Sequence, residues 1–160
     1  MFNIGIDFGS TYTTVSAYRN ETEKLETVVL GLGTPYIPTI AGGKVGSLDG
    51  LRYGSAAKGI IGRKDHVLYK AFKMLLTEKK TELLRERGYT EEITPAVVAE
   101  KFLTDLIQRV LEHYGEKEID HVVIGAPEIW FKGVDSLSGR SILRNIFEKM
   151  DCVKEVQVVS

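Results

Sequence analysis

An aspartate two residues ahead of a glycine, followed at once by two hydroxyl side chains, gives Asp7, Gly9, Ser10 and Thr11 the makings of an anion site near the N-terminus. Backbone N–H groups at a glycine turn can converge on an anion, and the Ser10 and Thr11 hydroxyls add donors. Gly9 is expected to make the turn through dihedrals that a side chain would bar. Asp7 would repel a bare phosphate. Its position makes sense with a hydrated Mg²⁺ in between, an ion that keeps most of its waters and borrows only one or two carboxylates. The plainer alternative is an ordinary hairpin in which Asp7 is solvated and the Ser-Thr pair merely closes the turn.

Two strands must position these residues. Ile4, Ile6 and Phe8 alternate with Gly5 and Asp7, so one face is apolar while the other is small, open and acidic. A glycine within a strand gives up packing and is tolerated where a ligand or a second backbone comes close, which marks Gly5 as a candidate for such an approach. A third β-rich run over 25–30 ends in Gly31-Leu32-Gly33-Thr34-Pro35, and three strands in succession predict an antiparallel meander. Residues 36–62 read as short β-prone pieces among many glycines, an inserted lobe rather than the main core.

Further on, Leu68, Phe72, Leu75, Leu76 and Leu83 recur near the helical period and predict a helix over 65–87, stopped by Gly88. Thr94 and Pro95 supply an N-cap and first turn for a second helix carrying Val98, Phe102, Leu106, Val110 and Tyr114. The apolar run 119–126 predicts a central parallel strand covered on both faces. Ile142, Leu143, Ile146, Phe147 and Met150 mark a third helix over 136–150, and 153–159 a last strand.

At 160 residues the chain suits one domain, or a domain with a small insertion. Its 21 basic and 22 acidic side chains leave a formal charge of −1, which argues against nucleic acid or an acidic membrane as partner and makes any anion site local. The single cysteine, Cys152, excludes an internal disulfide, fits a reducing compartment and is expected to be a buried small residue. No apolar stretch nears the roughly 20 residues that span a bilayer, so a cytoplasmic location is expected. The histidines, His66, His113 and His121, have no metal-ligand spacing, and His121 reads as a satisfied core or edge residue. A P-loop is ruled out because Gly42-Gly43-Lys44-Val45 lacks its pattern, and the dinucleotide fingerprint fails because Tyr36 stands where a third glycine belongs.

The run Asp7-Phe8-Gly9-Ser10-Thr11-Tyr12-Thr13-Thr14-Val15 resembles the first phosphate-binding motif of the 70-kDa heat-shock chaperones of the DnaK type, within the superfamily that includes actin and the sugar kinases. Further segments extend the resemblance over most of the chain. Thr34-Pro35-Tyr36-Ile37-Pro38-Thr39-Ile40 resembles the family's approach to its small lobe, Arg52-Tyr53-Gly54-Ser55-Ala56-Ala57-Lys58 its glycine-alanine-lysine segment, Phe72-Lys73-Met74-Leu75 its lysine-bearing helix, and Val122-Val123-Ile124-Gly125-Ala126-Pro127 its strand ending in proline.

The resemblance implies an α/β, RNase-H-like fold of the actin-like ATPase type, a mixed sheet with flanking helices. Residues 1–33 and 94–160 would form the RNase-H-like subdomain and 34–93 the inserted small lobe. ATP or ADP and Mg²⁺ are the implied cofactors. Gly9, Ser10, Thr11 and Tyr12 would hold phosphates, Asp7 would serve the metal and the chemistry, and Lys73 would reach the γ-phosphate and attacking water, with Lys70 as the fallback one turn away. The segment 128–134 departs from the family's pattern, which leaves Arg140 a structural reading. Unfolded peptide, a J-domain cochaperone and a nucleotide exchange factor are the implied partners of the whole protein, an ATP-dependent stress chaperone.

The second phosphate motif and the adenosine pocket of that family have no match here, and the sequence reaches Ser160 where the family continues into an Asn-Glu-Pro motif. The expectation is an N-terminal half that binds ATP weakly and does not turn it over by itself. Alternatives with the same fold are an actin-like or MreB-like filament ATPase, a sugar or carboxylate kinase, and a scaffold with a dead site.

Overall fold

The computed structural model describes residues 1–31, 33–126 and 136–159. It is an α/β protein with a mixed sheet and flanking helices, and the chain divides into two compact units. The first comprises 1–8, 13–36 and 106–160, the second 9–12 and 37–105.

In the first unit β1 (Phe2–Phe8) pairs antiparallel with β2 (Tyr12–Arg19), and β2 with β3 (Lys24–Thr27), which makes the expected meander. On the other side of β1, β8 (Ile119–Gly125) and β9 (Val153–Val159) add in parallel, so the strands run β3-β2-β1-β8-β9. The helix α3 (Ser136–Glu148) supplies the crossover between β8 and β9. Phe2, Ile4, Ile6 and Phe8 are buried, as are Val15 and Ala17 of β2 and Val122 and Ile124 of β8. Leu143, Ile146 and Phe147 of α3 join that core, with Leu106, Ile107 and Val110 from the helix α2 (Pro95–Tyr114).

Only one face of β8 is fully packed among the described residues. Val123 is 36% exposed and His121 about half exposed, which corrects the expectation of a strand covered on both sides. The alternation here is real, but the outward side chains are apolar or weakly polar and read as a continuous buried run. Cys152 is likewise only half-buried, at the turn into β9, rather than a core residue.

The second unit holds the short strands β4 (Ile37–Pro38), β5 (Ala41–Lys44), β6 (Arg52–Tyr53) and β7 (His66–Tyr69), with a 3-10 helix over Gly54–Ile60. Its sheet runs β6-β5-β7. The expected long helix over 65–87 is not formed. Its first residues are β7, antiparallel to β5 in the register Ala41↔Tyr69 to Lys44↔His66, residues 72–77 are turns, and only Thr81–Glu86 (α1) is helical. Ala71 at φ 55° breaks any helix between these pieces, since a side chain in the left-handed region costs roughly 1–2 kcal/mol and is not propagated. Gly88, at φ 91°, does end α1 as expected. The cap of α2 is also as expected, with Thr94 Oγ1 accepting the Val97 N–H at 3.2 Å. Among the described residues no helix is long and apolar enough to cross a membrane.

Candidate functional site

The opening hairpin sets the site up by strand alternation. Asp7 is the exposed residue of β1 between buried Ile6 and Phe8, and it pairs across the ladder with Thr14. Gly5 shares its face, and a Cβ there would come no closer than 4.0 Å to another atom, the Val123 carbonyl oxygen. No backbone of the described residues therefore requires glycine at this position, and the effect of Gly5 is to keep that face of β1 low.

In the second unit, Gly9–Tyr12 form the connection itself. The Gly9 N–H donates to the Tyr12 C=O at 3.0 Å, and a Cβ on Gly9 would overlap that same carbonyl oxygen. Gly9 does not lie in the left-handed region, which corrects the expectation drawn from dihedral freedom. Glycine is needed because the turn folds its own carbonyl back against the α-carbon. The Gly9 amide is consequently spent inside the turn. Ser10 and Thr11 are exposed, and among the described residues neither their amides nor their hydroxyls have a hydrogen-bond partner. They are the donors left to meet an anion.

A second segment steadies this turn. The Thr39 N–H donates to the Thr11 C=O at 2.9 Å, and Thr39 is 1% exposed, a buried polar residue in an otherwise apolar stretch. Nothing in the spacing of 34–40 assigns Thr39 a task. The signal was the hydroxyl between Pro38 and Ile40, where a strand core would carry an aliphatic side chain. Tyr12 is 50% exposed.

Lys73 lies in the second unit too, in a turn instead of the expected helix. Fully buried Phe72 and nearly buried Leu76 hold that turn, Phe72 against Phe102 with ring centroids 5.4 Å apart, so the half-buried Lys73 is carried between two anchors. Left-handed Ala71 precedes it, and strain of that kind persists only where the surroundings over-determine the backbone. Lys70, the fallback, is exposed and offers its carbonyl to the Tyr89 hydroxyl at 2.8 Å.

Away from these residues the polar groups are structural. Asp120 accepts the Phe2 N–H at 2.8 Å and pairs with Lys154 at 3.2 Å; that amide bond, then the ammonium, hold its carboxyl below the usual carboxylate range. His121 meets Glu155 across the β8–β9 pairing at 2.6 Å, in line with a satisfied residue. Arg140 is half-buried on α3. Pro127 and the segment 128–134 fall outside the described residues. Among the described residues there is no group of three or more His, Cys, Asp and Glu side chains that could cage a metal ion. A lone exposed carboxylate such as Asp7 suits an ion that retains its waters, as Mg²⁺ does, and not one that needs a full protein cage. No family model matches this chain, and no curated protein matches it.

Proposed function

We propose that this chain is the phosphate-binding and Mg²⁺-binding half of an actin-like ATPase domain of the DnaK type, with an RNase-H-like first unit and a small lobe. The reading rests most on one observation: a β1–β2 hairpin in which exposed Asp7 is followed along the chain by Ser10 and Thr11, whose donors have no partner among the described residues, in a sheet ordered β3-β2-β1-β8-β9. A meander extended by parallel strands through helical crossovers is the pattern expected of that fold. The ordered sequence segments resembling the chaperone family favour DnaK-type function over its relatives, because fold alone does not select among them.

In this reading Ser10 and Thr11 donate to phosphate oxygens, and bound Mg²⁺, held through Asp7, would neutralise phosphate charge. Lys73 offsets charge developing on the transferred phosphoryl group. ATP-dependent release of unfolded peptide, with a J-domain cochaperone and an exchange factor as partners, is the activity proposed for the whole protein. The test is an amide-shift titration of the chain with Mg²⁺ and ATP. Shifts at residues 7–12 and around Lys73 that need Mg²⁺ in the parent and lose that need in Asp7→Asn are expected. No shift at millimolar nucleotide, or shifts elsewhere only, would overturn the proposal.

A further inference from the structure

Among the described residues the sheet of the second unit ends on β7, and the outer edge of that strand is unpaired. The Val45 N–H donates to the Asp65 C=O at 3.0 Å, which fixes the phase of the β5–β7 ladder. The Gly43–Val67 and Ala41–Tyr69 pairs then exchange hydrogen bonds, and the backbone groups of His66 and Leu68 point away from β5. Among the described residues neither outward amide has a partner.

This edge is walled on both faces. A Cβ on Gly42 would overlap Ile60 and touch Leu68 at 3.4 Å, which puts Ile60 on the Leu68 face of the sheet. A Cβ on Gly88 would overlap Val67 and approach Tyr69 at 3.9 Å, so Gly88 sits on the opposite face. A groove of about 580 Å³ is lined from both walls and therefore follows the rim of β7. Ile61, 65% exposed, offers an apolar contact there. Among the described residues, Lys70, Arg85, Arg87 and His66 line the groove against one acid, Glu86. In a chain of net charge −1 that excess is local, and it selects the sign of what can lie in the groove.

We propose that the β7 edge accepts an extended acidic segment of a partner protein as an added strand. Main-chain bonds go to the outward groups of His66 and Leu68, alternate apolar side chains lie against Ile60 and Ile61, and the carboxylates face Lys70, Arg85 and Arg87. The inference goes beyond the nucleotide reading and does not depend on it. Basic side chains at an edge can also serve only to ward off pairing, and the two roles separate experimentally.

The experiment titrates the full chain into a short labelled peptide of alternating glutamate and valine, followed by fluorescence anisotropy, with a lysine–valine peptide as the counterpart. Expected are binding of the acidic peptide alone, weakening with salt, and slowed amide exchange at His66 and Leu68. The double variant Arg85→Glu/Arg87→Glu should weaken binding by about tenfold or more. Lys70→Glu, at an exposed position, provides the same readout if the double variant does not fold. Equal binding of both peptides, undiminished binding by the variants, or unchanged exchange at His66 and Leu68 would overturn the proposal.

Discussion

At Gly9 the demand is for volume, because the Tyr12 carbonyl occupies the space a Cβ would need. Gly9→Ala should therefore cost about 1–3 kcal/mol, the range for forcing atoms into an already filled space. Urea melts of the two chains measure it, and equal midpoints would contradict the geometry. Asp120 makes a prediction of the opposite kind, electrostatic and pH-dependent. Its carboxyl is depressed chiefly by the Phe2 N–H and next by Lys154. The charged form is thus favoured in the folded chain, and the stability it brings is present above the ordinary Asp value of 3.8 and lost as pH falls through the lower folded value. Asp120→Asn should flatten that acid limb. A denaturation series with the same acid slope for both chains would refute the role given to this carboxylate.

Elements differ in how far their neighbours in sequence decide them. The hairpin, α2, α3 and β9 were legible because each has an unambiguous period or cap, with Thr94 fixing one end of α2 and the Ile4-Ile6-Phe8 alternation fixing the exposure of Asp7. The stretch 65–87 was not. Four residues of β7 are too few to set a period, and Leu68, Phe72, Leu75 and Leu76 fit a helix by spacing. What decides against it is the ladder to β5, whose paired residues, from Lys44↔His66 to Ala41↔Tyr69, are more than twenty positions away and are not revealed by sequence spacing. The same limit applies to the site. The exposed Ser10 and Thr11 followed from the turn, whereas the chain conformation around Lys73 depends on Phe72 packing against Phe102. Two substitutions test this account. Thr94→Ala should destabilise by about 1 kcal/mol through loss of the Val97 cap bond. Ala71→Gly should stabilise by roughly 0.5–1 kcal/mol, the relief of left-handed strain less the added entropy of glycine in the unfolded chain. If Ala71→Gly also weakens the Mg²⁺-dependent nucleotide shifts, the strain serves the placement of Lys73.

Across the whole molecule, tyrosines couple stability to alkaline pH. Burial raises Tyr53, Tyr69 and Tyr89 above their ordinary value, and it raises Tyr114 to about 12, helped by the hydrogen bond from its hydroxyl to Glu26 at 2.7 Å. Arg19 stacks on the Tyr114 ring at 4.8 Å and pulls the other way, but burial and the carboxylate prevail. A phenol whose folded pKa is raised keeps its proton in the native chain after the unfolded chain has lost it. Between pH 10 and about 12 the unfolded state therefore binds fewer protons, and stability falls with rising pH. The contribution is complete below the ordinary tyrosine value of 10 and is lost through the folded one. Tyr114→Phe removes this group's share, so its melting temperature should decline less steeply than the parent's across that window, even if it starts lower for want of the Glu26 bond. Parallel curves for the two chains from pH 9 to 12 would mean that Tyr114 ionises as freely in the folded protein as in the unfolded one, and that its burial against Arg19 and Glu26 has no electrostatic consequence.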